Sequence, residues 1–246
     1  MSASAQGFDG ARPPFASTRG ETAYRALKTA IQHLQLEPGT SFSEAEIAAE
    51  LGLSKTPVRD ALARLRREGL VESSPRSGYR VTRMTIKDAR ALFGLRTLLE
   101  GEAAALAAGQ DLDRDALHDL DELCLADYDR HDSESIEWYL GRNATFHLSI
   151  ARVGGNDRLV EVLAQTVEQL ERYMHAGLAA APRAQVAGFE HRDLLAAILS
   201  GDKEAARRTA REHAHHSHAM VVNALLESDA VLSANLVASP TQPRHR

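Results

Sequence analysis

Eleven histidines and a single cysteine mark this 246-residue chain, and three of the histidines have a spacing that could build a metal centre. His147 lies four residues after Asn143, so the two share one face of a helix. His191 opens the segment His-Arg-Asp-Leu-Leu-Ala-Ala-Ile, and His213 sits on the last long helical stretch. Neutral imidazoles from different helices, converging inside a bundle, are a usual way to hold a divalent transition metal ion. Taken singly, each histidine is more often an ordinary core or surface residue. His215, His216 and His218 read as a solvated face, with His216 a substitute ligand only if the helical register shifts. His33, His118, His131, His175 and His245 receive no role. Arg96 is a fixed cation whose planar fork suits a carboxylate. Glu100, four residues on, offers it an internal salt bridge instead, and both roles can hold.

A second group of chemistry-bearing residues is cationic and polar: Ser54, Lys55, Thr56, Arg59 and Arg64, followed by Arg76 and Gly78. The elements around them are readable. Ser43 and Glu46 have capping-box spacing, which predicts a helix from Glu44 to Leu51 with Ile47, Ala48 and Leu51 facing inward and Gly52 ending it. Thr56 suits an N-cap and Pro57 a first helical position, predicting a second helix over 57–68 with Val58, Ala61, Leu62 and Leu65 buried. Gly69 closes it. Leu70-Val71-Glu72 and Tyr79-Arg80-Val81 read as two strands joined by a Ser/Pro/Gly loop.

Two short helices and a hairpin in this order make a winged helix-turn-helix. In such a module the start of the second helix meets base edges in the major groove, while basic side chains hold phosphates. Lys55, Thr56 and Arg59 are the expected readers, and an arginine can bond guanine through two acceptors. Arg76 and Gly78 at the wing tip would meet sugar-phosphate or the minor groove. A plain helical hairpin would share the two-helix pattern, with Arg64, Arg66 and Arg67 an ordinary solvated face. The cap, proline, terminal glycine and wing together favour the DNA-binding reading.

These residues resemble the GntR family of bacterial transcription regulators over about residues 20 to 83, through Leu36-x-Pro38-Gly39-Thr40 and the run Ser54-Lys55-Thr56-Pro57-Val58-Arg59-Asp60-Ala61-Leu62. The resemblance implies a homodimer on a palindromic operator in double-stranded DNA. Ala45 departs from it: the first helix of such domains often carries an arginine there, so that contact is expected to be lost or supplied by another basic residue.

From Thr85 onward the chain reads as six amphipathic helices, over 86–108, 114–131, 133–153, 156–179, 182–200 and 203–226. This all-α unit resembles the FCD effector domain of the FadR branch of that family, on Arg96-x-x-Leu99-Glu100 and on Phe146-His147 followed by Gly155-Asn156. The resemblance implies a metal held by an aspartate and three histidines, which fall on Asn143, His147, His191 and His213. Asn143 stands where the pattern has aspartate, and a neutral amide oxygen should bind a cation less tightly than a carboxylate. The metal class would be zinc, nickel or manganese, and the effector a small organic acid that completes the metal sphere or pairs with Arg96.

The composition fits this reading. A hydrophobic fraction of 43 % with only 5 % aromatics suits helical packing. A net charge of −5 does not exclude DNA, because the cations cluster in the first module. Lone Cys124 fits a reducing compartment, and the sequence shows neither a leader nor a membrane span, so a cytoplasmic protein is expected. The expected organisation is mainly α. A tail over 1–19 precedes a winged helix-turn-helix over 20–83, an all-helical effector and dimerisation domain over 84–232, and a tail over 233–246. The expected function is a ligand-responsive repressor of a catabolic operon. The alternative is a metal-dependent hydrolase or lyase with a winged-helix interaction module; it lacks a paired general acid and base near the histidines.

Overall fold

In a computed structural model, described for residues 19–75, 78–110, 128–180 and 188–227, the chain divides into two units. Residues up to Ile31 together with Gly39–Thr82 make the first, and Gln32–Pro38 together with the chain from Arg83 make the second.

The first unit holds helix α1 (Arg19–Gln32), strand β1 (Ser41–Phe42), helices α2 (Glu44–Glu50) and α3 (Lys55–Arg67), and strands β2 (Val71–Ser74) and β3 (Gly78–Val81). The three strands form an antiparallel sheet in the order β1-β3-β2, with Phe42 opposite Tyr79 and Glu72 opposite Arg80. The capping box closes as expected: Ser43 Oγ accepts from the Glu46 amide at 3.2 Å, and Glu46 Oε2 accepts from the Ser43 amide at 2.7 Å. Gly52 adopts φ +63, the left-handed conformation that turns the chain out of α2. Val58, Ala61, Leu62 and Leu65 are buried, as their spacing predicts.

Three features differ from the sequence expectation. Helix α3 begins at Lys55 with Ser54 as its N-cap, so Thr56 is the second helical residue and Pro57 the third. All of these positions lack an internal amide partner, so proline fits each equally well. Helix α1 and the two-residue strand β1 were not foreseen. Helix α1 is tied down by Tyr24 Oη, which donates to Glu68 at 2.9 Å, and by Lys28 Nζ, which donates to Glu68 at 3.0 Å.

The second unit holds α4 (Ile86–Ala107), α5 (Ser133–Val153), α6 (Asp157–Ala180), α7 (Gly188–Leu199) and α8 (Lys203–Glu227). The helix expected over 114–131 lies mostly outside the described residues; the part within them, 128–131, is not helical. Helix α4 packs along α8 and also meets α5 and α6. One apolar cluster joins Phe93, Ile136, Leu140, Leu170, Tyr173 and Val221; a second joins Phe146, Ile150, Leu194 and Ile198 with small residues Ala104, Ala107, Ala206 and Ala210. Those alanines lie on α4 and α8 and let these two backbones approach closely. No described helix is long and apolar enough to cross a membrane.

Candidate functional site

The second cluster surrounds a polar centre. His147 on α5, His191 on α7 and His213 on α8 are all buried, and one ring nitrogen from each lies within 4.8 Å of the others. Phe146 meets the rings of His147 and His191 edge-on, with centroids 5.4 and 4.6 Å away, and so fixes both. Burial, then the charge of Arg96, holds the His147 ring well below the ordinary histidine pKa. Burial, with His213 and Arg96, does the same for His191. Both are therefore neutral near pH 7, the form that binds a metal.

The tautomer of His147 follows from its neighbours. Arg96 Nη2 lies 3.2 Å from His147 Nε2, and a guanidinium only donates, so Nε2 is the bare nitrogen and Nδ1 carries the proton. That proton faces Glu100 Oε2 across 3.4 Å without the alignment of a hydrogen bond, which leaves this buried oxygen without one. Glu100 Oε1 accepts from Arg96 Nε at 2.7 Å, so the salt bridge read from their spacing is present and almost fully buried.

The donor set fits a transition metal ion. His147 Nε2 and His191 Nε2 are 3.4 Å apart, about the separation of two ligands each ~2.1 Å from one tetrahedral ion, and the His147 lone pair would become available to that ion once Arg96 Nη2 moves off it. The buried Nδ1 of His191 has no hydrogen-bond partner among the described residues. Asn143 is buried one turn before His147. Asn143 and Arg96 also line a cavity of about 100 Å³, walled otherwise by Leu140, Val167, Leu170, Met174 and Glu171. At ~30 Å³ per water, it holds a small molecule of a few heavy atoms.

The other histidines divide between expected and unexpected places. His215 and His216 are exposed, as expected of a solvated face, so His216 does not substitute at the cluster. His218 is half-buried against Phe93 at 5.1 Å rather than on a solvated face. His33 and His175 are buried and stacked at 5.6 Å, with Glu137 3.3 Å from His33.

The first unit presents Ser54, Lys55, Thr56 and Arg59 exposed together at the start of α3. The Ser54 side chain makes no cap hydrogen bond, leaving first-turn amides open to an anion. Arg59 is 63 % exposed and bridged to Glu44 on α2. Arg64 is committed elsewhere: its guanidinium stacks 3.5 Å from the Tyr24 ring centre and pairs with Glu21 and Glu68. Gly78 has φ +86, and a Cβ there would meet Phe42 O at 3.3 Å, so the close approach it permits is to β1. Arg76 lies outside the described residues.

Comparison with known proteins agrees with this architecture. Residues 19–81 match the model for bacterial regulatory proteins of the gntR family, and residues 91–216 match the FCD domain. An HTH-type transcriptional regulator from an unstable DNA locus of Streptomyces ambofaciens is 33 % identical, covering 80 % of this chain and 84 % of its own. The HTH-type transcriptional repressor RspR of Escherichia coli (strain K12) is 24 % identical over 77 % of this chain and 83 % of its own. Among solved structures, E. coli McbR/YncC shares the fold with a TM-score of 0.66 at 24 % identity, covering 84 % of this chain and 98 % of its own. The family and these relatives are regulators and not enzymes, which removes the hydrolase or lyase alternative. The chain is a DNA-binding transcription regulator of the GntR family with a C-terminal FCD domain.

Proposed function

We propose that this regulator is a cytoplasmic homodimeric repressor whose grip on a palindromic operator is set by a small carboxylate bound beside a metal centre. The observation that carries the reading is the buried trio His147, His191 and His213, adjoining through Asn143 and Arg96 a cavity of small-molecule size. Asn143, His147, His191 and His213 would hold a divalent ion of the zinc, nickel or manganese class. Such an ion would supply a Lewis-acidic anchor for an oxygen of the effector. Arg96, anchored through Nε to Glu100 and lining the cavity, would turn its terminal amines from His147 and Met174 to fork to a carboxylate.

In the other unit, Ser54, Lys55 and Thr56 would take phosphates and base edges at the start of α3, and Arg59 would read guanine. Gly78 and Arg76 would bring the wing to the backbone, and Arg64 would add a peripheral positive charge. For a dimer the two α3 helices must reach major grooves about 34 Å apart. The effector acts only by binding one arrangement of that pair more tightly than the other. The E. coli relative RspR is a transcriptional repressor by name, which supports the sign of the response.

Gel shifts with fragments of the chromosome around the gene, run with and without chelator, test the whole reading. Salt-sensitive, specific retardation that Arg59→Ala abolishes is expected. Elemental analysis of tag-free protein should find about one ion per chain in wild type and none in His147→Ala. Metal-free wild-type protein would end the metal half of the proposal, and Arg59→Ala that keeps operator affinity would end the role given to that arginine.

A further inference from the structure

The geometry points to Glu44 as a positioning residue for base readout: its carboxylate takes one edge of the Arg59 guanidinium and leaves the opposite fork for a base. This rests on the reading of Arg59 as the guanine reader. Arg59 Nε donates to Glu44 Oε1 and Oε2 at 3.1 Å each, and Nη2 donates to Oε2 at 2.9 Å. A guanidinium has five donors arranged as a side-on edge (Nε and Nη2) and an end-on fork (Nη1 and Nη2). Glu44 consumes the first. The second, with two Nη1 protons and one on Nη2, is what remains to meet the O6 and N7 of guanine.

Glu44 is itself held from two directions. It is the first residue of α2, immediately after the Ser43 cap whose box fixes the helix start. Tyr79 Oη on β3 donates to Glu44 Oε1 at 3.4 Å, and the Tyr79 ring stacks on its strand partner Phe42 at 6.3 Å. The carboxylate therefore joins the first helix, the reading helix and the wing strand. Arg59 holds the Glu44 carboxyl below its ordinary pKa, so the pair stays ionised at neutral pH.

An ion pair with one partner this exposed adds little to folding stability. Its consequence is directional: it stops a long flexible cation from sampling the phosphates on either side. A carboxylate near the groove also repels the duplex unless its arginine stays with it, so the two enter the groove as a unit or not at all.

Selection from a random 30-base-pair duplex library with the full chain, followed by competition between the four bases at each selected position, tests this. Arg59→Ala should flatten the preference at one base pair in each half-site. Glu44→Gln should weaken the preference at that same pair about tenfold, within the span of one bidentate contact. Preferences elsewhere and affinity for calf-thymus DNA should stay equal or rise, and the urea midpoint should not move. Glu44→Asp should restore part of the preference, and Tyr79→Phe should lose a smaller part. If Arg59→Ala flattens the preference and Glu44→Gln keeps it, the positioning role is wrong and the reading of Arg59 stands. If Glu44→Gln weakens all sequences equally, the role is likewise wrong. If Arg59→Ala itself keeps the preference, the underlying reading falls, and the inference with it.

Discussion

Replacing Glu100 by glutamine should destabilise the helical unit far more than its size change suggests. Glu100 and Arg96 are 4 % and 2 % exposed, and their closest atoms are 2.7 Å apart. At that distance, and an effective dielectric of about 20, the attraction is about 6 kcal/mol, against a desolvation cost of several kcal/mol per ion. Intact, the pair is close to neutral for stability. Glutamine removes the charge and leaves the buried guanidinium without a counter-ion, which costs about 3–5 kcal/mol. Geometry adds to this. Glu100 faces donors on both sides, Arg96 Nε–H and His147 Nδ1–H, whereas a glutamine offers one acceptor end and one donor end.

The expected fall in melting temperature is about 6–20 °C, at ~2–4 °C per kcal/mol for a chain of this length. Urea titration followed by helical circular dichroism gives the free energy directly. Arg96→Met alone should cost a similar amount by stranding the carboxylate. The double variant Arg96→Met with Glu100→Leu should recover to within about 1–2 kcal/mol of wild type, since apolar groups of similar volume replace buried pairs well. Glu100→Gln within ~1 kcal/mol of wild type would refute the reasoning, as would single costs that simply add in the double variant.

Asn143→Asp should tighten metal binding at least about tenfold, because a carboxylate replaces a neutral amide in a buried position; competition against a chromophoric chelator measures it, and an unchanged affinity would remove Asn143 from the ligand set. In chelator-treated protein, stability should fall with acidification. The folded pKa values of His147 and His191 lie well below 6.5, so between those values and 6.5 only the unfolded chain holds the protons. Stability is then full above about pH 6.5 and drops by up to ~1.4 kcal/mol per pH unit for each ring below it; equal urea midpoints at pH 7.5 and 5.5 would contradict this. Ser43→Ala should cost about 1 kcal/mol by opening the capping box, read as a shift of the urea midpoint.

What the sequence made legible was local, or periodic along one helix. The capping box at Ser43 and Glu46, the inward stripe Val58, Ala61, Leu62 and Leu65, and the Arg96–Glu100 pair all follow from three- and four-residue spacings, and the structure has each of them. Helix α1 carries the same kind of signal, with Ala23, Tyr24, Leu27 and Ile31 all buried and Thr18 and Glu21 at capping-box spacing in the sequence, although the sequence expectation places no helix there. The two-residue strand β1 has no period to read.

The contacts that give the sites their chemistry were of another kind. Arg59 finds Glu44 fifteen positions away, and His147 finds Arg96 and Glu100 on another helix. Spacing along one element cannot report such distances; they exist only once small residues let the helices close and a sheet turns Tyr79 toward α2. The consequence is an asymmetry between ligands and the groups behind them. His147, His191 and His213 could be picked out as residue types with a known taste for metal, whereas Glu44 is an ordinary surface-type residue in the sequence, and Glu100 shows there only its pairing with Arg96 and not its place beside His147. They become positioning groups because each carboxylate ends up facing a guanidinium it must orient. In both units a glutamate holds an arginine through its Nε, in one case buried, with Nη2 turned to His147 beside a cavity, and in the other exposed on a reading helix with the end-on fork left over. The buried pair therefore governs stability and the exposed pair does not, so Glu100→Gln and Glu44→Gln should separate cleanly: the first moves the melting curve, the second moves base preference.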